Sequence, residues 1–419
     1  MRIVHVSTYD LKGGASMSAY RLHRGLLLHG HESSMFVLEK SSQDETVMRF
    51  HPSMDVTSRL RRRFRRKSIA KAWRAYAATR PSGYELFSQD RTPIGDALAR
   101  QLVPCDVVHL HWVATFLDYE SFFTAVPRER PVVWTLHDMN LVTGGCHYDM
   151  ECGRYRSGCE ACPQLGSRHS HDLSAEVWQR KRRIFAEVPP SRLCVVTPSR
   201  WLTQVVKDSP IFSRFRVETI PYGLDLDAFA PRDRLAAREV LGIPQDANVV
   251  LFVAEMIDNK RKGYTLLMDA LTGCLRENRR LWLLSVGHRA PLGPGSMQAV
   301  HMGYVNNERF LSLVYSAADI FVIPSLQDNL PNTVLEAMAC GVPVVGFDVG
   351  GISDMVRECQ TGCLVGVGDV VGLQRAISRL MQDQELRTVM SKACRRVALD
   401  EYGLERQAQA YSDLYRTLS

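Results

Sequence analysis

Asp328 and Glu336 are two carboxylates separated by seven residues, and the residues around them suggest what they could do. Ile320-Phe321-Val322-Ile323 is an apolar run, Pro331 and Gly341 bracket a helix-length segment, and Val342 to Phe347 is apolar again. The order is therefore strand, loop, helix, glycine stop, strand. Pro331 suits a first helical turn, where its missing N–H is not needed, and Gly341 suits a helix end. A helix starting there presents the amides of Asn332 and Thr333 at its positive end, where a diphosphate could bind. Glu336, one turn further in, is placed to accept hydrogen bonds from vicinal hydroxyls such as those of a ribose. A second basic segment, Asp258-Asn259-Lys260-Arg261-Lys262-Gly263, follows the apolar run Phe252-Val253-Ala254. Fixed positive charge there would balance negative charge building on a leaving diphosphate.

The first half carries its own polar residues at the ends of apolar runs. Gly13 and Gly14 follow the strand Arg2 to Ser7 and precede a helix, so the backbone can approach a ligand closely and a helix N-terminus favours an anion. His109-Leu110-His111-Trp112 and Thr135-Leu136-His137-Asp138 end two further runs. A satisfied structural histidine is the bland alternative for each. Cys146, Cys152, Cys159 and Cys162 lie within one glycine-rich stretch, and Cys-x2-Cys is a typical thiolate chelate. A structural zinc, free thiols and bridges all stay open at this point. Four protein ligands would leave a metal no open position for substrate.

Short apolar segments alternate with helix-period segments almost from end to end, the pattern of parallel sheets covered by helices. Strands are expected at Arg2 to Ser7, Ser34 to Leu38, Asp106 to His111, Val132 to Leu136, Leu193 to Pro198 and Arg216 to Ile220. The series restarts at Asn248 to Ala254, Leu281 to Ser285, Ile320 to Ile323 and Val342 to Phe347. Turn chemistry at Pro221-Tyr222-Gly223 places a hinge near Pro231. The expected domains are residues 1–230 and 231–400, with a last helix over 401–419 crossing back to the first. Strand C-termini and helix N-termini of such folds converge on one crevice.

At this point the chain resembles the retaining, GT-B-fold glycosyltransferases of family 4, including bacterial polysaccharide-assembly members. Asp328 and Glu336 stand at that family's acid-x7-acid positions, although the family more often has Glu at the first. The resemblance implies two Rossmann-like α/β domains facing across a cleft, with the acceptor in the N-terminal half and a nucleotide sugar in the C-terminal half. It assigns Asp328 to the donor sugar, with Asn329 and Leu330 beside it, and Glu336 to the ribose. Lys262-Gly263 matches the family's diphosphate clamp, whereas its Arg is replaced here by Ala254-Glu255, so Arg261 is taken as the second cation. Gly303 and Tyr304, in His301-Met302-Gly303-Tyr304-Val305, resemble the segment that contacts the base. Gly350-Gly351-Ile352 resembles a loop that admits the donor, with plain turn chemistry as the equal alternative. His137 matches the histidine that approaches the sugar from the acceptor side, His111 stands behind it, and Gly13-Gly14 matches a loop flanking acceptor and donor phosphate. The implied reaction transfers a sugar from a UDP- or GDP-type donor to a saccharide or lipid-linked saccharide hydroxyl with retention, as in lipopolysaccharide or glycolipid assembly. No catalytic metal is implied. A GT-B sugar phosphorylase or nucleotide-sugar epimerase is the alternative enzyme, and a non-catalytic nucleotide-sugar-binding protein the alternative class.

The 419 residues and 45% hydrophobic content fit two domains with sizeable cores. No stretch approaches the roughly 20 apolar residues of a membrane-spanning helix. Met1 to Ser7 reads as a strand and not as a secretory leader, so a cytoplasmic location is expected. Eleven cysteines then argue against a disulfide framework. The net charge of +7 is uneven, because Arg61 to Lys67 holds six basic residues in seven positions. A solvated helix face is the bland reading. With Leu60, Phe64, Ile69, Trp73 and Tyr76 nearby, an anionic membrane surface at the inner face of the plasma membrane is the sharper one. No nucleic-acid-binding motif accompanies the basic run, so nucleic acid is not expected as a partner.

Overall fold

The run Ile3 to Thr8 is buried without interruption, as a central parallel strand must be when helices cover both of its faces. In the computed structural model, which describes residues 1–288 and 297–418, it forms β1 (Arg2–Tyr9). The elements that follow are α1 (Gly13–Leu28), β2 (Glu32–Glu39), β3 (Val47–Arg49), α2 (Val56–Arg74), β4 (Val107–Leu110), α3 (Tyr119–Ala125) and β5 (Val132–Thr135). Next come α4 (Leu173–Ala186), β6 (Leu193–Thr197), α5 (Arg200–Lys207) and β7 (Arg216–Thr219). These seven strands make one parallel sheet in the order β3-β2-β1-β4-β5-β6-β7. The order reverses at β1 and β4, whose register pairs His5 with His109.

A second series runs α6 (Arg234–Val240), β8 (Asn248–Met256), α7 (Tyr264–Glu277), β9 (Leu281–His288), β10 (Gln298–His301), α8 (Glu308–Ser316) and β11 (Ile320–Ile323). It continues with α9 (Asn332–Ala339), β12 (Val344–Phe347), α10 (Ile352–Met355), β13 (Gly362–Val365), α11 (Val370–Gln382), α12 (Gln384–Glu401) and α13 (Leu404–Arg416). Its six strands form a parallel sheet in the order β10-β9-β8-β11-β12-β13. Both sheets have the doubly wound, Rossmann-like form, all parallel and with the strand order reversing within the sheet.

The chain divides into two compact units, residues 1–221 with 407–419, and residues 222–406. The change of unit thus falls at Pro221 and not near Pro231. Tyr222, Leu224, Ala228 and Phe229 are buried in the core of the second unit, so the connecting turn belongs to it. The expected last helix is also divided differently. Gly403 breaks the helical run after α12, and α13 lies against the first sheet, where Ala408, Tyr411, Leu414 and Tyr415 bury with Ile3, Leu22, Val107 and Val196. Residues 401–406 stay with the second unit, stitched by Leu224 N–H to Tyr402 O (2.8 Å) and Leu404 N–H to Leu224 O (3.0 Å).

Candidate functional site

In the second unit, β8 and β11 are adjacent, so the segments leaving their C-terminal ends meet. Gly263 makes that meeting close. Its φ of +67° suits glycine, and a Cβ there would stand 1.8 Å from Pro324 O. Leu326 N–H donates to Arg261 O across the same junction, at 2.8 Å. Lys262 Nζ consequently reaches Asp328 Oδ2 at 2.6 Å, and Arg261 Nη1 lies 3.1 Å from that oxygen while donating to Gln327 O. Ser325 Oγ donates to Asp328 Oδ2 at 3.2 Å, and the Asn329 N–H to Oδ1 at 3.1 Å. Burial pushes the Asp328 carboxyl up, but Lys262 and Arg261 together outweigh it and hold the group well below the usual carboxylate range. The result is a buried anion tied to two cations, a cluster with net charge +1.

Sequence reading assigned Asp328 to the sugar and Arg261 with Lys262 to the diphosphate; folding brings all three into one ion cluster. Arg261 is itself buried, which a basic loop read from sequence does not suggest. The backbone of Asp328 is fixed from the other side, where Gly350, at φ +59°, would put a Cβ 1.8 Å from Asp328 O. Gly351 N–H also donates to that carbonyl, at 3.1 Å. Close backbone packing is thus what these two glycines do in this structure.

Helix α9 starts one residue beyond the expected point, with Pro331 as its N-cap. Asn329 and Leu330 are buried just before it, and Asn332 and Thr333 form its half-buried first turn. Glu336 is buried, and its Oε2 accepts a 3.0 Å hydrogen bond from Tyr315 Oη on α8. Tyr315 escapes sequence reading because only tertiary packing brings it to Glu336, whereas Ser325 reaches Asp328 within one loop. Gly303 lies after β10, where its carbonyl accepts from Gly287 N–H at 2.9 Å. The next residue, Tyr304, is exposed and lies parallel to His288, ring centroids 4.8 Å apart and planes within 4°. Burial of part of the ring, with Glu255 and Glu336 nearby, raises the Tyr304 hydroxyl pKa. Flat rings stacked at a sheet edge are suited to holding a base; His288, unlike Tyr304, carried no motif.

In the first unit, β1, β4 and β5 end in a buried polar group. Nδ1 of His5 and Nε2 of His111 are 2.8 Å apart, and Nδ1 of His111 is 3.2 Å from Nε2 of His137. His109 is used up structurally, by Tyr415 Oη and Thr135 Oγ1, both at 2.7 Å. Among the described residues, His5, His109 and His111 have ligand nitrogens all within 4.8 Å of one another. Desolvation lowers the pKa of each, and that of His137 to about 4, so these imidazoles are neutral near pH 7. Asp138 accepts from Trp112 Nε1 at 2.9 Å and from the Asn140 N–H at 2.8 Å, and lies 2.6 Å from His147 Nδ1. Burial pushes its carboxyl up, but the His147 contact and these bonds bring it below the usual range. Gly13, at φ +80°, opens α1, and Gly14 O accepts from Ser18 Oγ at 3.0 Å. Beside that loop Tyr9 stacks on Trp112, with Lys12 Nζ 4.9 Å above the Tyr9 ring.

The four cysteines line one small void beneath Phe87 and Ser174, with Cys146, Cys159 and Cys162 buried and Cys152 half-buried. The basic helix α2 packs over this region only by its C-terminal end. Trp73 and Tyr76 rest against the cluster containing Cys146 and Cys162, which removes them from the apolar surface expected to meet a membrane. Arg65 is paired with Asp118 and donates to Thr92 O, so it too faces inward. Val56, Leu60 and Phe64 stay exposed, four residues apart on one stripe. No helix among the described residues is long and apolar enough to cross a membrane.

Residues 247–383, within the second unit, match the family model described as Glycosyl transferases group 1. A D-inositol 3-phosphate glycosyltransferase from Saccharomonospora viridis is 34% identical over 219 residues, which is 48% of this chain and 50% of that protein. The chain thus spans about half the length of the curated relatives it matches, or less. Among solved structures, sucrose-phosphate synthase from Thermosynechococcus elongatus aligns with a TM-score of 0.66 at 20% identity, covering 100% of this chain and 99% of that one. Anabaena HepE, solved in complex with UDP and glucose, aligns with a TM-score of 0.67 at 15% identity, covering 100% of both. At such identities the likeness establishes the fold: two parallel-sheet Rossmann-like domains, as in GT-B glycosyltransferase structures.

Proposed function

We propose that the chain is a retaining glycosyltransferase that moves a sugar from a nucleoside-diphosphate sugar to an acceptor hydroxyl. The observation that carries this reading is the buried Asp328 carboxylate joined to Lys262 and Arg261 on the segment that leads into α9. A net positive cluster beside a helix N-terminus suits a diphosphate, and a fixed carboxylate suits sugar hydroxyls. The family match over residues 247–383 supports assigning that chemistry to the second unit.

In the proposed reaction the bond from the anomeric carbon to the β-phosphate oxygen breaks, and its electron pair stays on phosphate. Lys262, Arg261 and the first-turn amides at Asn332 and Thr333 stabilise the developing charge. The acceptor oxygen attacks from the face the phosphate leaves, and its proton passes to the departing phosphate oxygen, which gives retention. Asp328 orients the sugar and Glu336, held by Tyr315, takes the ribose hydroxyls. Tyr304 with His288 receives the base. In the first unit His137, neutral near pH 7, is assigned to the acceptor side as a hydrogen-bonding group and not as a charge, and Gly13-Gly14 to phosphate. No metal is needed for this chemistry. The acceptor is a saccharide or lipid-linked saccharide in surface polysaccharide or glycolipid assembly, taken up at the cytoplasmic membrane face. D-inositol 3-phosphate belongs in the acceptor panel because curated relatives carry that name.

A thermal-shift screen against UDP, GDP, ADP and their sugars tests donor binding, since a ligand held by the native state raises apparent stability by mass action. One nucleotide class is expected to stabilise the parent, with Lys262→Ala and Glu336→Ala each losing most of the shift and at least roughly 100-fold in kcat/KM. Folded variants that bind and turn over every activated sugar as the parent does would sink the proposal. Turnover that requires inorganic phosphate, or no acceptor, would instead identify a phosphorylase or an epimerase.

A further inference from the structure

The stretch from Met139 to Asp172 contains only two single-turn 3-10 segments, Arg154–Arg156 and Pro163–Leu165. Among the described residues, four of the six non-glycine residues with positive φ occur inside it: Met150, Glu151, Cys159 and Ala161. Each such residue costs roughly 1 kcal/mol or more and persists only where its surroundings over-determine it. Yet the stretch holds no helix or strand of its own to do so. What it does hold is four cysteines around one void.

The environment of those cysteines is arranged for anions. Gly144 N–H donates to Cys159 Sγ at 3.1 Å. Lys181 on α4 is fully buried, with its ammonium given to the carbonyls of Asn140 and Thr143. It forms no ion pair with a carboxylate among the described residues, and Asp90 leads the groups whose negative charge favours its charged form, with Cys159 and Cys146 after it. Negative charge at Cys159 and Cys146 would add to that of Asp90 in offsetting the cost of burying the ammonium.

We propose that Cys146, Cys152, Cys159 and Cys162 bind one structural zinc ion, with Lys181 as the counter-ion of the resulting tetrathiolate. On loading, four thiol protons leave to solvent, four sulfur–zinc bonds form, and the centre carries a net charge of −2. Lys181 and the Gly144 N–H offset that charge. In a filled shell, with Zn–S near 2.3 Å, sulfurs stand about 3.8 Å apart. The thiols are spaced more loosely, outside the 4.8 Å grouping that the three histidines meet, so loading draws the stretch together. The metal would fix the segment that follows His137 and contains His147, and four protein ligands leave it no place in the reaction itself.

The test uses the full chain purified without chelators or a metal-affinity step. Elemental analysis is expected to find about one zinc per chain, released by a mercurial thiol reagent. Cobalt exchanged into the same protein is expected to show thiolate-to-cobalt charge transfer and the visible bands of a tetrahedral ion. Cys152→Ser should lower zinc at least tenfold, whereas Cys359→Ser, an exposed cysteine outside the group, should leave it unchanged. Lys181→Met should speed zinc loss to a chelator. Zinc below about one tenth per chain, iron in its place, or disulfide-linked peptides among the four cysteines would overturn the proposal. The measurements on unaltered protein decide the matter even where a variant fails to fold.

Discussion

Tyr315 reaches Glu336 with a single phenolic hydroxyl, and that bond sets where the carboxylate points. Tyr315→Phe keeps the ring and removes the bond. On the proposed reading it should raise the donor KM by roughly 3- to 10-fold with kcat nearly unchanged, the cost of one hydrogen bond in the bound and transition states alike. Steady-state kinetics over a donor series checks this. Histidine chemistry gives a second outcome at this scale. The pKa values of His23 and His137 are lowered by burial from 6.5 to about 4, so the unfolded chain binds more protons between those values and stability falls as pH drops through that window. Denaturant midpoints at pH 7 and pH 5 should show a loss on the order of 2 kcal/mol per such histidine. His23→Gln should remove its share of that loss. Asp328, Glu336 and Lys262 were legible from sequence because their spacing falls on strand ends and a helix start. Tyr315 and His288 were not, because their partners are distant along the chain and nothing in their own neighbourhood marks them; Ser325 lies only three residues from Asp328, but the turn that brings its hydroxyl to the carboxylate is not marked by residue type.

Among the elements, the loop from β8 to α7 depends on one glycine. Gly263→Ala would press a methyl into Pro324 O and push Lys262 off Asp328, so donor binding should weaken at least about tenfold. Gly242→Ala, at nearly the same φ but with open space around it, should cost only about 1 kcal/mol of stability and leave binding intact. Isothermal titration with the nucleotide and thermal unfolding separate the two effects. Helix α2 offers a different prediction, since Val56, Leu60 and Phe64 lie exposed among arginines. Wild type should float with anionic vesicles and a variant with Arg61, Arg62, Arg63 and Arg66 changed to Gln should not, with salt weakening the first. Equal recovery of the two would leave α2 a solvated surface. Strands buried throughout, such as β4, β5 and β11, were readable from their apolar runs. The equally short β3, β10 and β13 were not, because they are only partly buried and gain their pairing from a neighbour already in place.

For the whole molecule, the division into two units was legible, but its position was not. The stretch 222–230 reads as loop, yet Tyr222, Leu224 and Phe229 are core residues of the second unit. The largest long-range dependence is that of α13 on the first sheet, where Tyr415 Oη meets His109 and Tyr411 Oη meets Thr135. Ending the chain after Arg406 should uncover Ile3, Val107, Val133 and Val196 together. The shortened protein should lose the unfolding transition of the first unit and aggregate, while Tyr415→Phe, which keeps the ring, should cost about 1 to 3 kcal/mol. Calorimetry of the two variants distinguishes them.

That arrangement also fixes a timetable during synthesis. A ribosome has delivered all seven strands of the first sheet long before it reaches residue 407, and by then residues 222–406 can already have closed their own core. The earlier-made half must therefore wait, with a hydrophobic face uncovered, for a helix made after the second unit. Slow decoding or premature release just after residue 406 would leave the first sheet, and not the second, in the hands of chaperones.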